Sequence, residues 1–264
     1  VQGAGGVMSV TGEPGRGPVR PGLSLGDVTA GLYCTIGILS ALHERERSGN
    51  GQLVDISMLD CQVAIQENAF MRFHLSGELP ERLGTRHPTA VPFQAFQTKD
   101  GYLVIALSWG VPNQWALLCS ELGLPDIIAM GTLPAAQALS LVELEPILQK
   151  AFLTKNTADW LEAFDRYEIP SGPLNDIRQV TEMPQVAARD MLRPVQHKVF
   201  GEVPLTNTPV KLSGTPGGIR GGAPDMGEHS REVLNEILGL DDAQLDDLIA
   251  RKVVWVERPE VDLG

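Results

Sequence analysis

At 264 residues, 43% hydrophobic and 20% charged, the chain is long and apolar enough to bury a sizeable core in one large or two medium domains. A formal charge of −12 with no clustered basic patch excludes nucleic acid as a partner, because phosphate neutralisation needs arrayed cations. No uninterrupted apolar run approaches the ~20 residues of a membrane helix, so no membrane partner is expected.

Three cysteines, Cys34, Cys61 and Cys119, are an odd number at wide spacing with no CxxC pair. Neither a zinc site nor a disulfide framework is expected, and a reducing, cytoplasmic compartment is the simplest context. The chain opens Val1-Gln2-Gly3-Ala4-Gly5-Gly6 without an initiator methionine or a cleavable apolar segment, and reads as a sequence cut within a domain. Residues 9–23, rich in Gly and Pro, form a loop. Gly12, Gly15 and Gly17 open no helix and no Walker-type lysine follows, so this loop is not a phosphate cradle.

Ser24-Leu25-Gly26-Asp27-Val28-Thr29-Ala30-Gly31 leads into an apolar run from Leu32 to Leu42. The pattern predicts a helix with Asp27 at its N-cap, Arg45 and Arg47 in its last turn, and Gly49 or Gly51 as its stop. Val28, Leu32, Ile36 and Leu39 share one face while Tyr33, Ile38, Ala41 and Leu42 occupy others, so the helix is expected to be covered on most sides. Asp27 has two readings. It caps the helix, or, with Gly26, Ala30 and Gly31 leaving room beside it and helix-start amides to hold a developing oxyanion, it attacks an activated acyl group and carries it covalently.

Alternation over Gln52 to Met58 predicts a short strand, and helix followed by strand implies a parallel α/β sheet. Asp60 is expected to cap a helix running through Met71 to about Gly77. Glu67 and His74 on it read as a solvated face. Gly84-Thr85-Arg86-His87-Pro88-Thr89 is a loop joining a flexible glycine, a fixed cation and a titratable ring. Such a loop either positions a substrate carboxylate and moves a proton near Asp27, or is simply exposed. A strand over Tyr102 to Leu107 and helices near 140–153 and 157–167 come next; Trp109 either closes a core or touches ligand. Then follow a helix through Val180, another from Gln185 to Met191, extended chain from Val195 to Pro209, a glycine-rich surface loop over Thr215 to Gly222, a helix from Ser230 to Leu238, and a final one opened by Asp241-Asp242.

Leu25-Gly26-Asp27, Gly31-Leu32-Tyr33, Ile36 to Leu42, Glu44-Arg45, Ser48 to Gln52 and Asp55 to Asp60 together resemble the family III CoA-transferases, the CaiB/BaiF family that includes formyl-CoA transferase. Ala223-Pro224, Gly227-Glu228-His229, Glu232-Val233-Leu234 and Leu238-Gly239-Leu240 resemble that family's C-terminal signature. His87-Pro88, Pro92 to Phe96, Asp100-Gly101 and Ile169 to Pro173 resemble its middle domain.

The resemblance implies an α/β fold: a Rossmann-like large domain, part of it preceding Val1, with a small α+β domain and two subunits interlocked. On this reading residues 1–66 belong to the N-terminal half of the large domain, 67–84 form a linker helix, 85–180 the small domain and 181–264 the return to the large domain. It implies a homodimer that moves CoA between an acyl-CoA thioester and a small carboxylic acid, with no permanently bound cofactor or metal. Asp27 would be the nucleophile, passing through a mixed anhydride to an aspartyl-CoA thioester. Gln2, Gly26, Met58, Gly84, Arg86 and His87 would contact substrate or CoA. Formyl-CoA transferase closes a run of consecutive glycines over its acyl intermediate; that run is absent here, which argues against oxalate or formate. Two alternatives stand beside it: an α-methylacyl-CoA racemase with Asp27 as acid and base beside a His that would fall before Val1, and a non-catalytic piece.

Overall fold

Small and aliphatic residues without proline from position 25 to 48 build the longest helix among the described residues, α1 (Leu25–Ser48). The computed structural model describes residues 1–107, 113–130, 134–197 and 200–256, in two units, Val1–Leu174 and Asn175–Gly264. In the first unit a short 3-10 turn, Val7–Val10, precedes α1. The helix stops at Gly49, whose φ of 78° is left-handed and whose N–H donates to the Arg45 carbonyl at 2.8 Å.

Its start differs from expectation. The first i to i−4 bond runs from the Val28 N–H to the Ser24 carbonyl, so Ser24 is the N-cap and Asp27 lies inside the first turn. The expected cover is also missing among the described residues: Val28, Leu32, Ile36 and Leu39 are 52%, 61%, 58% and 61% exposed. One short helix, α2 (Met58–Ala64), packs along α1 with the residues just before it, and these cannot cover apolar residues spread around the whole cylinder. By length and composition α1 also qualifies as a membrane span, with mean hydropathy 1.5 in a window only 11% buried. The expectation that no segment reaches that standard is therefore corrected; glycines and hydroxyl residues interrupt the apolar run without adding charge.

Residues 52–57 form no strand, because among the described residues they have no strand to pair with. They run against α1 instead, so close to Gly37 that a Cβ there would sit 2.8 Å from Val54 Cγ1. The helix expected from Asp60 is two helices. Ser57 Oγ accepts from the Leu59 and Asp60 amides and caps α2, and the chain breaks at Ile65-Gln66 before α3 (Glu67–Ser76), which ends at Gly77.

Strands β1 (Phe93–Gln97), β2 (Tyr102–Ala106) and β3 (Ser171–Pro173) form an antiparallel sheet in that order, with Phe93 opposite Ala106 and Leu103 opposite Pro173. The parallel sheet expected from the sequence is not among the described residues, whose sheets are both antiparallel. Helices α4 (Gln114–Glu121), α5 (Pro134–Phe152) and α6 (Thr157–Asp165), with a 3-10 turn Pro125–Met130, cover the buried face, where Leu103 and Ile105 of β2 are fully enclosed. Phe152 stacks on Phe96 at 4.6 Å and meets Trp160 edge-on at 5.5 Å; Trp160 donates from its indole to the Phe152 carbonyl and lies beneath the Lys155 ammonium, 4.2 Å from the ring centroid. Asp100, in the β1–β2 turn, accepts from the Thr157 amide at 2.8 Å and the Thr157 hydroxyl at 2.9 Å, capping α6 from outside its own sequence. Those bonds hold its carboxyl below the usual carboxylate range.

The second unit contains α7 (Ile177–Glu182), α8 (Pro184–Ala188), a hairpin of β4 (Leu192–His197) and β5 (Gly201–Thr206), then α9 (Ser230–Leu238) and α10 (Asp242–Ala250). Capping boxes open α7 (Asp176 with Gln179) and α10 (Asp241 with Gln244). Leu245 is its one fully buried apolar side chain among the described residues.

Candidate functional site

Starting a helix leaves its first amides without intrahelical acceptors and puts positive potential at that end. Asp27 stands there, in a cleft of about 330 Å³ lined by Val1, Gln2, Gly3, Met8, Arg20, Gly26, Asp27 and Met58. Its side chain is exposed and, among the described residues, makes no hydrogen bond or ion pair, so the carboxylate is free to meet a ligand. Gln2 donates from Nε2 to the Leu23 carbonyl at 3.2 Å, while its Oε1 is buried without a partner.

A buried polar brace fixes the turn carrying Asp27. The Thr29 hydroxyl donates to the Leu25 carbonyl at 2.7 Å, and Gln62 of α2 donates from Nε2 to the Thr29 oxygen at 3.1 Å. Gln66, one turn further along the chain, donates to the carbonyls of Gly5 and Gln62, both at 2.7 Å. Gly5 presses so close that a Cβ would come within 2.6 Å of the Gln62 Cβ. The first turn of α1, the start of α2 and the N-terminal chain are thus held by one set of bonds.

The loop over residues 9–20 is equally fixed. Val19 donates to the Thr11 carbonyl at 3.1 Å, and the guanidinium of Arg82 reaches across to the carbonyls of Ser9 and Arg16 with three bonds of 2.6–3.1 Å. Gly84 donates to the Gly12 carbonyl at 2.9 Å; its φ of +62° and a Glu13 carboxylate that would lie 2.8 Å from any Cβ leave glycine the only easy residue there.

Of the residues singled out in the sequence, the structure brings Gln2, Gly26, Asp27 and Met58 together in this cleft. It places Gly84, Arg86 and His87 in a different one, of about 400 Å³, bordered by Gln66, Glu67, Arg72 and Glu81. There Arg86 pairs with Glu145 at 2.5 Å. The His87 ring stacks on Phe93 at 4.8 Å, and its Nδ1 accepts from the Thr89 and Ala90 amides at 3.2 and 3.0 Å, which occupies that nitrogen in shaping the loop. Trp109 lies outside the described residues. Cys119 is an inert thiol, pushed up to about 12 by burial. Sequence reasoning missed Gln62, Thr29, Arg82 and Arg20; the available signal was two glutamines four residues apart, Gln62 and Gln66, at the join of α2 and α3.

Comparisons with known proteins bear on the chain as a whole. The model of a family described as CoA-transferase family III matches residues 1–230. A succinate–glutarate CoA-transferase of Agrobacterium fabrum is 35% identical over 239 residues, 90% of this chain and 59% of that protein. A succinyl-CoA–D-citramalate CoA-transferase of Chloroflexus aurantiacus is 32% identical over 254 residues, 95% of this chain and 62% of that protein. Among solved structures, a CaiB/BaiF family protein from Brucella suis superposes with a TM-score of 0.75 at 32% identity, covering 89% of this chain and 61% of the other. The chain spans about six tenths of the length of the curated relatives it matches. With the matched segment reaching from its first residue to position 230 and a mixed α/β architecture shared with a CaiB/BaiF structure, the chain belongs to CoA-transferase family III.

Proposed function

We propose that the protein transfers coenzyme A between an acyl-CoA thioester and a small carboxylic acid, with Asp27 as the covalent relay. The observation that carries this reading is an unpaired carboxylate in the first turn of α1, inside a cleft formed with Gln2, Gly26 and Met58. An Asp27 oxygen attacks the thioester carbonyl; the C–S bond breaks, CoA leaves as thiolate and a mixed anhydride remains. The thiolate attacks the Asp27 carbonyl carbon, freeing the donor acid and leaving an aspartyl-CoA thioester. The acceptor carboxylate attacks that carbon and displaces the thiolate, which then takes the acceptor acyl group and returns Asp27 as carboxylate. No proton, oxidant or reductant is consumed. The Gly26 and Asp27 amides, without intrahelical acceptors, face the end of the helix where each oxyanion develops.

The two relatives named above act on succinate, glutarate or D-citramalate, and we assign the same class, small dicarboxylic acids, to this chain. The test uses the full-length natural protein, wild type and Asp27→Ala, incubated with succinyl-CoA, trapped with hydroxylamine and read by intact mass. An adduct on wild type only, with turnover in the variant lower by roughly 10⁴-fold or more, is expected. No adduct, together with exchange of the substrate α-proton into solvent, overturns the relay in favour of acid–base isomerisation.

A further inference from the structure

Arg20 stands in the cleft of Asp27, and among the described residues these two carry the only ionisable side chains lining it. They make no ion pair with each other, and Arg20 has no hydrogen bond or salt bridge among the described residues. Elsewhere several arginines are engaged: Arg86 with Glu145, Arg82 with two carbonyls, Arg193 with Asp190. An unpaired surface arginine usually means only a solvated side chain. Three features distinguish this one.

The backbone that presents it is fixed on both sides. Val19, just before it, is bonded to Thr11, and the loop behind is clamped by Arg82. Pro18 and Pro21 flank it, one setting its own φ and the other restricting the residue that precedes it. The Leu23 carbonyl, three residues on, accepts from Gln2, which also lines the cleft. The cleft also brings the Arg20 and Asp27 side chains into one lining, so that a single short ligand can meet both. Finally, the charges are complementary to a linear diacid. One end reacts at the Asp27 acyl group, and the other keeps a charged carboxylate inside the cleft, which a guanidinium receives with two parallel bonds.

We propose that Arg20 binds the distal carboxylate of a dicarboxylic acid whose other carboxylate reacts at Asp27, and so selects diacids over monoacids of equal length. This rests on the transferase reading above. A monoacid leaves Arg20 facing water and loses the charge-assisted bonds; a diacid of four or five carbons gains them.

The experiment compares glutarate with pentanoate as acceptors, butyryl-CoA, whose acyl group has no second carboxylate, being the common saturating donor, in wild type, Arg20→Gln and Arg20→Lys of the full-length natural protein. Arg20→Gln is expected to raise KM for glutarate roughly 10- to 100-fold while leaving that for pentanoate unchanged, and Arg20→Lys to recover part of the difference. Equal effects on both acids, or none on glutarate, overturn the proposal. Calorimetric titration of glutarate into resting enzyme separates this from failure of the relay. Loss of glutarate binding in Arg20→Gln upholds the anchor even where no Asp27 adduct forms, and unchanged binding sinks it whatever the turnover. Thermal melting of each variant guards against misfolding, which an exposed, unbonded side chain gives no reason to expect.

Discussion

Gln62 and Thr29 are both buried; Gln62 donates to the Thr29 oxygen, and the Thr29 hydroxyl in turn donates to the Leu25 carbonyl, in the turn that carries Asp27. Thr29→Val keeps the shape and removes the hydroxyl. It leaves the Gln62 amide buried with no partner, at a cost of about 1–3 kcal/mol measured by urea unfolding. The double variant Thr29→Val/Gln62→Leu removes both polar groups and is expected to recover most of that loss, a coupling that a double-mutant cycle detects and independent sites would not show. That Gly26 and Asp27 open a helix was legible in the sequence because a helix start is a local pattern, whereas Gln2 was named only from the family resemblance. The Thr29–Gln62 bond joins residues 33 apart and has no local signature. Even Asp27 was read slightly out of place: Ser24 and Asp27 are both residues that favour helix starts, and only the first backbone bond tells them apart.

Asp100 caps α6 from the β1–β2 turn, so one carboxylate joins two elements. Its folded-state pKa is depressed, so its contribution is present above the ordinary carboxylate pKa of about 4 and is lost as pH falls through the folded value. Asp100→Asn should therefore be less stable than wild type at pH 7 in urea melts, with the gap closing below about pH 4; a constant gap would sink this account. Elements whose signals are local matched the sequence closely, as with α9 over Ser230–Leu238 and α10 opened by Asp241. Elements that depend on a neighbour did not. The alternating residues 52–57 need a partner strand to become one, and the outward residues of α1 need something against them to become core.

The two units are built on different amounts of enclosed apolar surface. The first holds a contiguous core around Phe96, Leu103, Ile105, Phe152, Trp160 and Phe164, whereas Leu245 is the fully buried apolar residue of the second among those described. Opening free energies follow buried contacts, so amides of α9 and α10 should exchange with solvent well before those of β2 and α6 in native-state hydrogen exchange. Equal protection in both would contradict the packing. The way Trp160 is enclosed has a further consequence. It is 1% exposed and roofed by the Lys155 ammonium, while Trp255 of the second unit is 44% exposed. An indole in a dry core emits at shorter wavelength than one in water, so the chain's own fluorescence reports in colour which unit is losing its structure, with no label attached.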